Sequence, residues 1–240
     1  EFSLESLKQG GVAVLIATVM AAAALLLGKV LYNRFPLGKS ILQYGTLVTN
    51  SGFAGLPVVS GAYGDKGLFL GSLFIIPTRI LMWSAGISLF QADAKQAVRK
   101  VLLNPGIIAV EVGLVWMLFQ LPLPHFVDTA VDIWRLHLSH AMALVGAILA
   151  DVPLKTVFDP VLYLVAVRQL LLPAVCLVAL RLLGVDPLTA GVSVVLTGMP
   201  IAHHRHPGPE IRGGRQFASK CVFISTLTSL VTVPILTLFL

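Results

Sequence analysis

Arg79, Glu111 and Arg168 each fall near the middle of an apolar run long enough to cross a bilayer. A charged side chain at that depth costs roughly 2.5–3.5 kcal/mol on insertion scales, so it is expected to face a cavity or a partner. Arg79 and Arg168 are therefore candidates to hold a substrate. Arg168 and Glu111 could equally form a structural ion pair, and Glu111 is also a candidate for taking up a coupling proton. A second set of residues stands in a segment a stable helix would avoid, Asn50-Ser51-Gly52-Phe53-Ala54-Gly55-Leu56-Pro57. Pro57 has no N–H for the carbonyl of Phe53, and Gly52 and Gly55 leave the backbone loosely held. Backbone broken at membrane depth survives only inside protein or beside a wet cavity. The stretch Leu47–Tyr63 therefore reads as a broken helix at a substrate site, against the alternative of a proline-kinked helix packed through small residues.

What such a site could do is hold a carboxylate. Half-helix N-termini offer backbone N–H groups and partial positive charge, and Asn50 and Ser51 add side-chain donors. Gly55-Leu56-Pro57 is echoed by Gly198-Met199-Pro200, so Pro57 and Pro200 are expected to create paired helix ends. The candidate substrate-binding set is Asn50, Ser51, Gly52, Gly55, Pro57, Arg79, Arg168, Gly198 and Pro200. No catalytic residue is expected, since neither HExxH nor GxSxG occurs. His203, His204 and His206 invite a metal reading, but Pro207 and Pro209 break helical presentation and no Cys or carboxylate completes the set; no metal site is expected.

The elements that must position these residues are membrane spans. Of 240 residues 57% are hydrophobic and only 12% charged, against about a quarter charged in soluble domains. The chain reads as an all-α polytopic membrane protein with about eight spans. They run over Gly11–Tyr32, Ile41–Tyr63, Gly67–Phe90, Leu102–Leu121, Thr129–Ala150, Pro160–Leu183, Pro187–Ala202 and Phe217–Leu240. Arg34, Lys39, Lys95, Arg99, Lys100 and Lys155 fall on one side, which is expected to be cytoplasmic. The net charge of +6 thus marks orientation and gives no case for nucleic acid. Cys176 and Cys221 lie in apolar runs without metal or redox spacing and read as packing residues.

The echo of the two Gly-x-Pro segments, five spans apart, implies inverted repeats, because a five-span unit inserts its second copy upside down. Residues 1–91 then form three spans of a first repeat, 92–101 a cytoplasmic linker and 102–240 a second repeat of five spans. Two further spans are expected before Glu1.

Asn50-Ser-Gly-Phe-Ala-Gly-Leu-Pro57, Tyr63-Gly-Asp65, Asn104-Pro-Gly106, Gly198-Met-Pro200 and Ser225-Thr-Leu-Thr-Ser229 resemble the auxin efflux carrier family of bacteria, which includes malate and malonate permeases. The resemblance implies ten helices in two inverted five-helix repeats whose broken helices cross at their prolines. It lapses over Trp134–His140 and His203–Arg215. Both patches read as family-like membrane sequence one base out of frame, so a paired frame error is the favoured reading of the longer patch.

The expected function is secondary transport of a small organic acid anion, malate- or malonate-like, by alternating access across the cytoplasmic membrane. The alternatives are a sodium-coupled organic-anion symporter of the bile-acid type and a non-functional fragment. No cofactor is implied; coupling to H⁺ or Na⁺ is left open. The expected partners are the anion and the lipid bilayer, with no nucleic acid; the oligomeric state stays open, a homodimer among the options.

Overall fold

The computed structural model describes residues 4–35, 38–86, 159–202 and 214–240, with isolated positions between 89 and 133. The linker 92–101, Glu111, the patch Trp134–His140 and residues 203–213 lie outside the described residues, as do most of the expected fourth and fifth spans. The described chain is helical, apart from one isolated antiparallel bridge between Thr49 and Ile201. Four helical stretches are long and apolar enough to cross a membrane, Glu5–Arg34, Ser51–Gly86, Pro160–Leu182 and Phe217–Leu238. The chain is an all-α polytopic membrane protein.

Helix α1 (Leu4–Leu31) is apolar on every side. Its buried stripe is made of Ala13, Ala17, Ala21 and Ala24, while Leu15, Val19, Leu26 and Val30 face outward. Small residues let neighbouring backbones approach where lipid offers no hydrophobic drive for association. Helix α2 (Lys39–Leu47) is short and its last turns are buried. It ends where Val48 turns extended, and a wide π-type turn, Ser51–Gly55, leads into α3 (Leu56–Leu81). The second expected span is therefore broken, but at Val48–Asn50. Pro57 lies in the first turn of α3, where a helix has no need of the missing N–H. Proline does not make this break, contrary to the expectation for Pro57.

Gly64 sits inside α3 with φ 64° and ψ −153°, a conformation open in practice to glycine alone. There the chain folds back on itself. A Cβ on Gly71 would stand 3.0 Å from Leu56, fifteen residues earlier and about 22 Å away had the helix run straight. The apolar stretch Ser51–Gly86 is thus two arms of a hairpin, divided at the expected loop.

In the second half, α4 (Asp159–Val165) and α5 (Leu172–Leu182) are joined by another π-type turn, Ala166–Leu171. Gly184 at φ 63° closes α5, its neighbour Val185 donating back to Leu180 O at 3.1 Å. Asp186 then caps α6 (Pro187–Thr197), accepting from the Thr189 N–H at 3.0 Å and its hydroxyl at 3.1 Å. A side-chain cap followed by Pro at the first helical position is a strong local start signal. Helix α7 (Gly214–Leu238) completes the described chain.

The bridge joins two distant stretches of the chain. Thr49 and Ile201 stand 152 positions apart (201 less 49). The same step carries 4–31 onto 156–183, where α4 and α5 span Asp159–Leu182. It carries 64–86 onto 216–238, where α7 spans Gly214–Leu238. Pro57 and Pro200 are 143 positions apart (200 less 57), a different step from that of the bridge.

Candidate functional site

Two non-helical segments, Val48–Asn50 and Met199–Ala202, cross inside the bundle. The Asn50 N–H donates to Pro200 O at 2.7 Å, and the Ala202 N–H donates to Val48 O at 3.3 Å. Unwound backbone in an apolar interior must find partners, and here each segment supplies them to the other. Ser225 of α7 adds a third bond. Its Oγ accepts the Ile201 N–H at 3.2 Å and donates to Val222 O at 2.9 Å. Gln169 fastens α7 from the other side, its Nε2 donating to Ser225 O at 2.6 Å. Asn50 O accepts from both Ala54 and Gly55 N–H groups, at 3.0 and 3.2 Å, which opens the wide turn.

A cavity of about 620 Å³ lies on one side of the crossing. Asn50, Phe53 and Pro57 line it from one half, Met199 and Pro200 from the other, and Thr226 and Ser229 from α7. The volume suits a small organic molecule. The Thr226 and Ser229 hydroxyls donate to their own helix, to Val222 O at 2.8 Å and Thr226 O at 2.6 Å. The Asn50 side chain makes no capping bond to the turn that follows it, and Asn50 is among the residues lining the cavity.

Of the expected site residues, Asn50, Pro57 and Pro200 come together at this cavity. Ser51 is buried next to it, accepting from Thr49 Oγ1 at 3.0 Å. Gly52 turns the opposite way and meets Arg79: a Cβ there would stand 2.6 Å from Arg79 Nη2. The guanidinium thus rests against the start of the helical turn, with Nη1 3.7 Å from Met82 Sδ, and is not among the residues lining the cavity. Gly55 and Gly198 are close-approach positions, the first against Leu196 and Met199, the second against Leu236 and Pro173.

Arg168 is not at the cavity. It is 4% exposed, in the π-type turn between α4 and α5, within electrostatic reach of the Tyr32 hydroxyl. Its Nε has no hydrogen-bond partner among the described residues. Glu111 is outside the described residues, as are His203, His204 and His206. Among the described residues no group of three His, Cys, Asp or Glu is placed to hold a metal. Sequence reading missed Gln169, Ser225 and Thr49 as parts of the crossing. The signals present in the sequence were a Gln next to Arg168 inside an apolar run and the place of Ser225 in the segment Ser225-Thr-Leu-Thr-Ser229.

These features define a polytopic membrane protein whose two broken segments meet at a cavity, an arrangement carriers use. The chain belongs to the membrane transport protein family, which matches residues 92–237. That match bears out the resemblance to auxin efflux carriers. No curated protein matches the chain.

Proposed function

We propose that the protein is a secondary carrier of small organic acid anions, of the malate or malonate kind, working by alternating access in the cytoplasmic membrane. The observation that carries this is the joint at Asn50 and Pro200. One residue from each half shares a backbone hydrogen bond and a place on the wall of one cavity. A ligand in that cavity touches both halves at once, so its binding can favour one relative arrangement over another.

The cavity lining is mostly apolar, and the groups suited to an anion lie at the crossing. The Asn50 amide offers donors, the turn at Ser51 begins a helix whose N–H groups carry partial positive charge, and Arg79 lies behind Gly52. A guanidinium kept one residue away raises the local potential without forming a direct pair, which favours capture while leaving release possible. On this reading the two halves are inverted copies related through the Thr49–Ile201 bridge.

The test is uptake of labelled malate, malonate and citrate into proteoliposomes holding the purified full chain, with an imposed anion gradient. Saturable uptake of a carboxylate, lost in Asn50→Ala at equal incorporation, is the expected result. Uptake absent for every anion, or unchanged by Asn50→Ala, would remove the crossing as the site.

A further inference from the structure

Among the described residues that line the cavity, none is titratable. Val58, Leu230 and Val233 belong to a wall that is mostly apolar. Four polar residues interrupt it, Asn50 at the crossing and Thr226, Ser229 and Thr237 along α7. What each hydroxyl can do for a ligand follows from where its hydrogen already goes. Thr226 donates to Val222 O at 2.8 Å, Ser229 to Thr226 O at 2.6 Å and Thr237 to Pro234 O at 2.7 Å. A hydroxyl has one hydrogen and two lone pairs. With the hydrogen committed to its own helix, each of the three offers a ligand only an acceptor. Asn50 alone among the lining side chains brings N–H donors.

An ionised carboxylate accepts hydrogen bonds and donates none. One such group is served at the crossing, by the Asn50 amide and the helix start. A second in the same cavity would meet apolar wall and oxygen lone pairs. Leaving an ion unpaired there is disfavoured by on the order of a thousandfold or more. Protonation is the easier course. At pH 7 an ordinary carboxyl of pKa about 4.3 is in its acid form roughly one time in 500. The first charge of a dicarboxylate makes its second proton easier still to keep. The acid form also carries an O–H, which is what the α7 hydroxyls can accept.

We infer that the cavity holds one negative charge, and that a dicarboxylate enters it with its second carboxyl protonated and donating to Thr226 or Ser229. The substrate then brings its own proton. The consequence for transport rests on the carrier reading; the preference for a single charge concerns binding alone. The elements packed against α7 carry Lys39 and Tyr44 on α2, Asp159 and Tyr163 on α4, and Arg168 in the turn Ala166–Leu171, and none of these lines the cavity. Arg79, against Gly52, is an arginine and stays charged across neutral pH. The pH dependence of binding therefore comes from the ligand.

Isothermal titration of the purified full chain in detergent, from about pH 6.5 to 8, tests this with malonate and propanoate. Propanoate is ionised throughout, and its affinity should stay within about twofold. Malonate affinity should fall about tenfold for each pH unit above its second pKa. Malonate affinity that is flat, or rises with pH, means a bound dianion and overturns the inference. In Thr226→Val/Ser229→Ala, which removes both acceptors, malonate should bind at least fivefold more weakly with propanoate unchanged. An equal loss for both acids, or none for either, overturns the role of these hydroxyls. Should that variant yield no folded protein, the parent's pH profile decides alone. If neither acid binds, the inference fails, while uptake of another anion would still support the carrier reading. The expected profile without any uptake in proteoliposomes would remove the carrier reading and leave the inference standing.

Discussion

The backbone N–H of Asn50 meets the carbonyl of Pro200 at 2.7 Å, joining two stretches of chain 150 positions apart (200 less 50). Neither stretch could remain unwound inside an apolar bundle by itself, because each would leave buried polar groups unpaired. Together they make a joint that leaves the Asn50 side chain at the cavity.

That side chain is open to test. Asn50→Ala keeps the backbone bond and removes the amide, so folded yield should be near the parent's. A hydrogen bond to a charged ligand is worth about 1.5–3 kcal/mol, which corresponds to a roughly ten- to hundredfold loss of carboxylate uptake. Uptake at equal incorporation, compared with circular dichroism of the same preparations, checks both halves of the expectation.

Gly52 reports on Arg79. A methyl added at position 52 would stand 2.6 Å from Arg79 Nη2, the free end of a flexible side chain that can swing aside. Gly52→Ala should therefore fold normally and still impair uptake by displacing the guanidinium. Normal uptake in this variant would show that Arg79 has no part in transport.

Ser225 supports the crossing from α7. In Ser225→Ala the Ile201 N–H loses its partner, a cost of about 1–3 kcal/mol for a buried donor left unsatisfied. A lower Tm than in the neighbouring Thr226→Ala is expected, since Thr226 bonds only to its own helix at Val222. Thermal unfolding of the two variants side by side decides it.

The packing of α3 against α6 makes a further prediction. A Cβ on Gly191 would run into the ring and hydroxyl of Tyr63. Overpacking of this kind costs about 1–3 kcal/mol, so Gly191→Ala should reduce folded yield. Tyr63→Leu in the same chain should restore much of it, and size-exclusion profiles of the single and double variants measure the recovery.

Local chemistry was the readable part of this sequence. The Gly184-Val185-Asp186-Pro187 loop closes one helix and caps the next as those residue types require, and the Gly64 turn falls between two expected spans. The break in the second span was readable as a fact but misplaced, because Pro57 is the visible breaker while the actual partner of the unwound backbone arrives from Pro200 and Ala202. No short-range pattern carries that information. Arg79 and Arg168 stood out by depth alone, yet which way each points depends on packing against Gly52 and near Tyr32. Ser225 and Gln169 are ordinary polar residues until α7 is placed beside the crossing.

The bond between Asn50 and Pro200 uses only main-chain atoms, as does the bond between Ala202 and Val48. A joint built this way does not care which side chains its residues carry. Asn50 can be exchanged for another residue without undoing the crossing, while the lining beside it changes in size and polarity. The architecture therefore separates what must stay fixed from what can drift, and on the proposed reading new substrate preferences arise in such a chain by substitution at the cavity wall without rebuilding the fold.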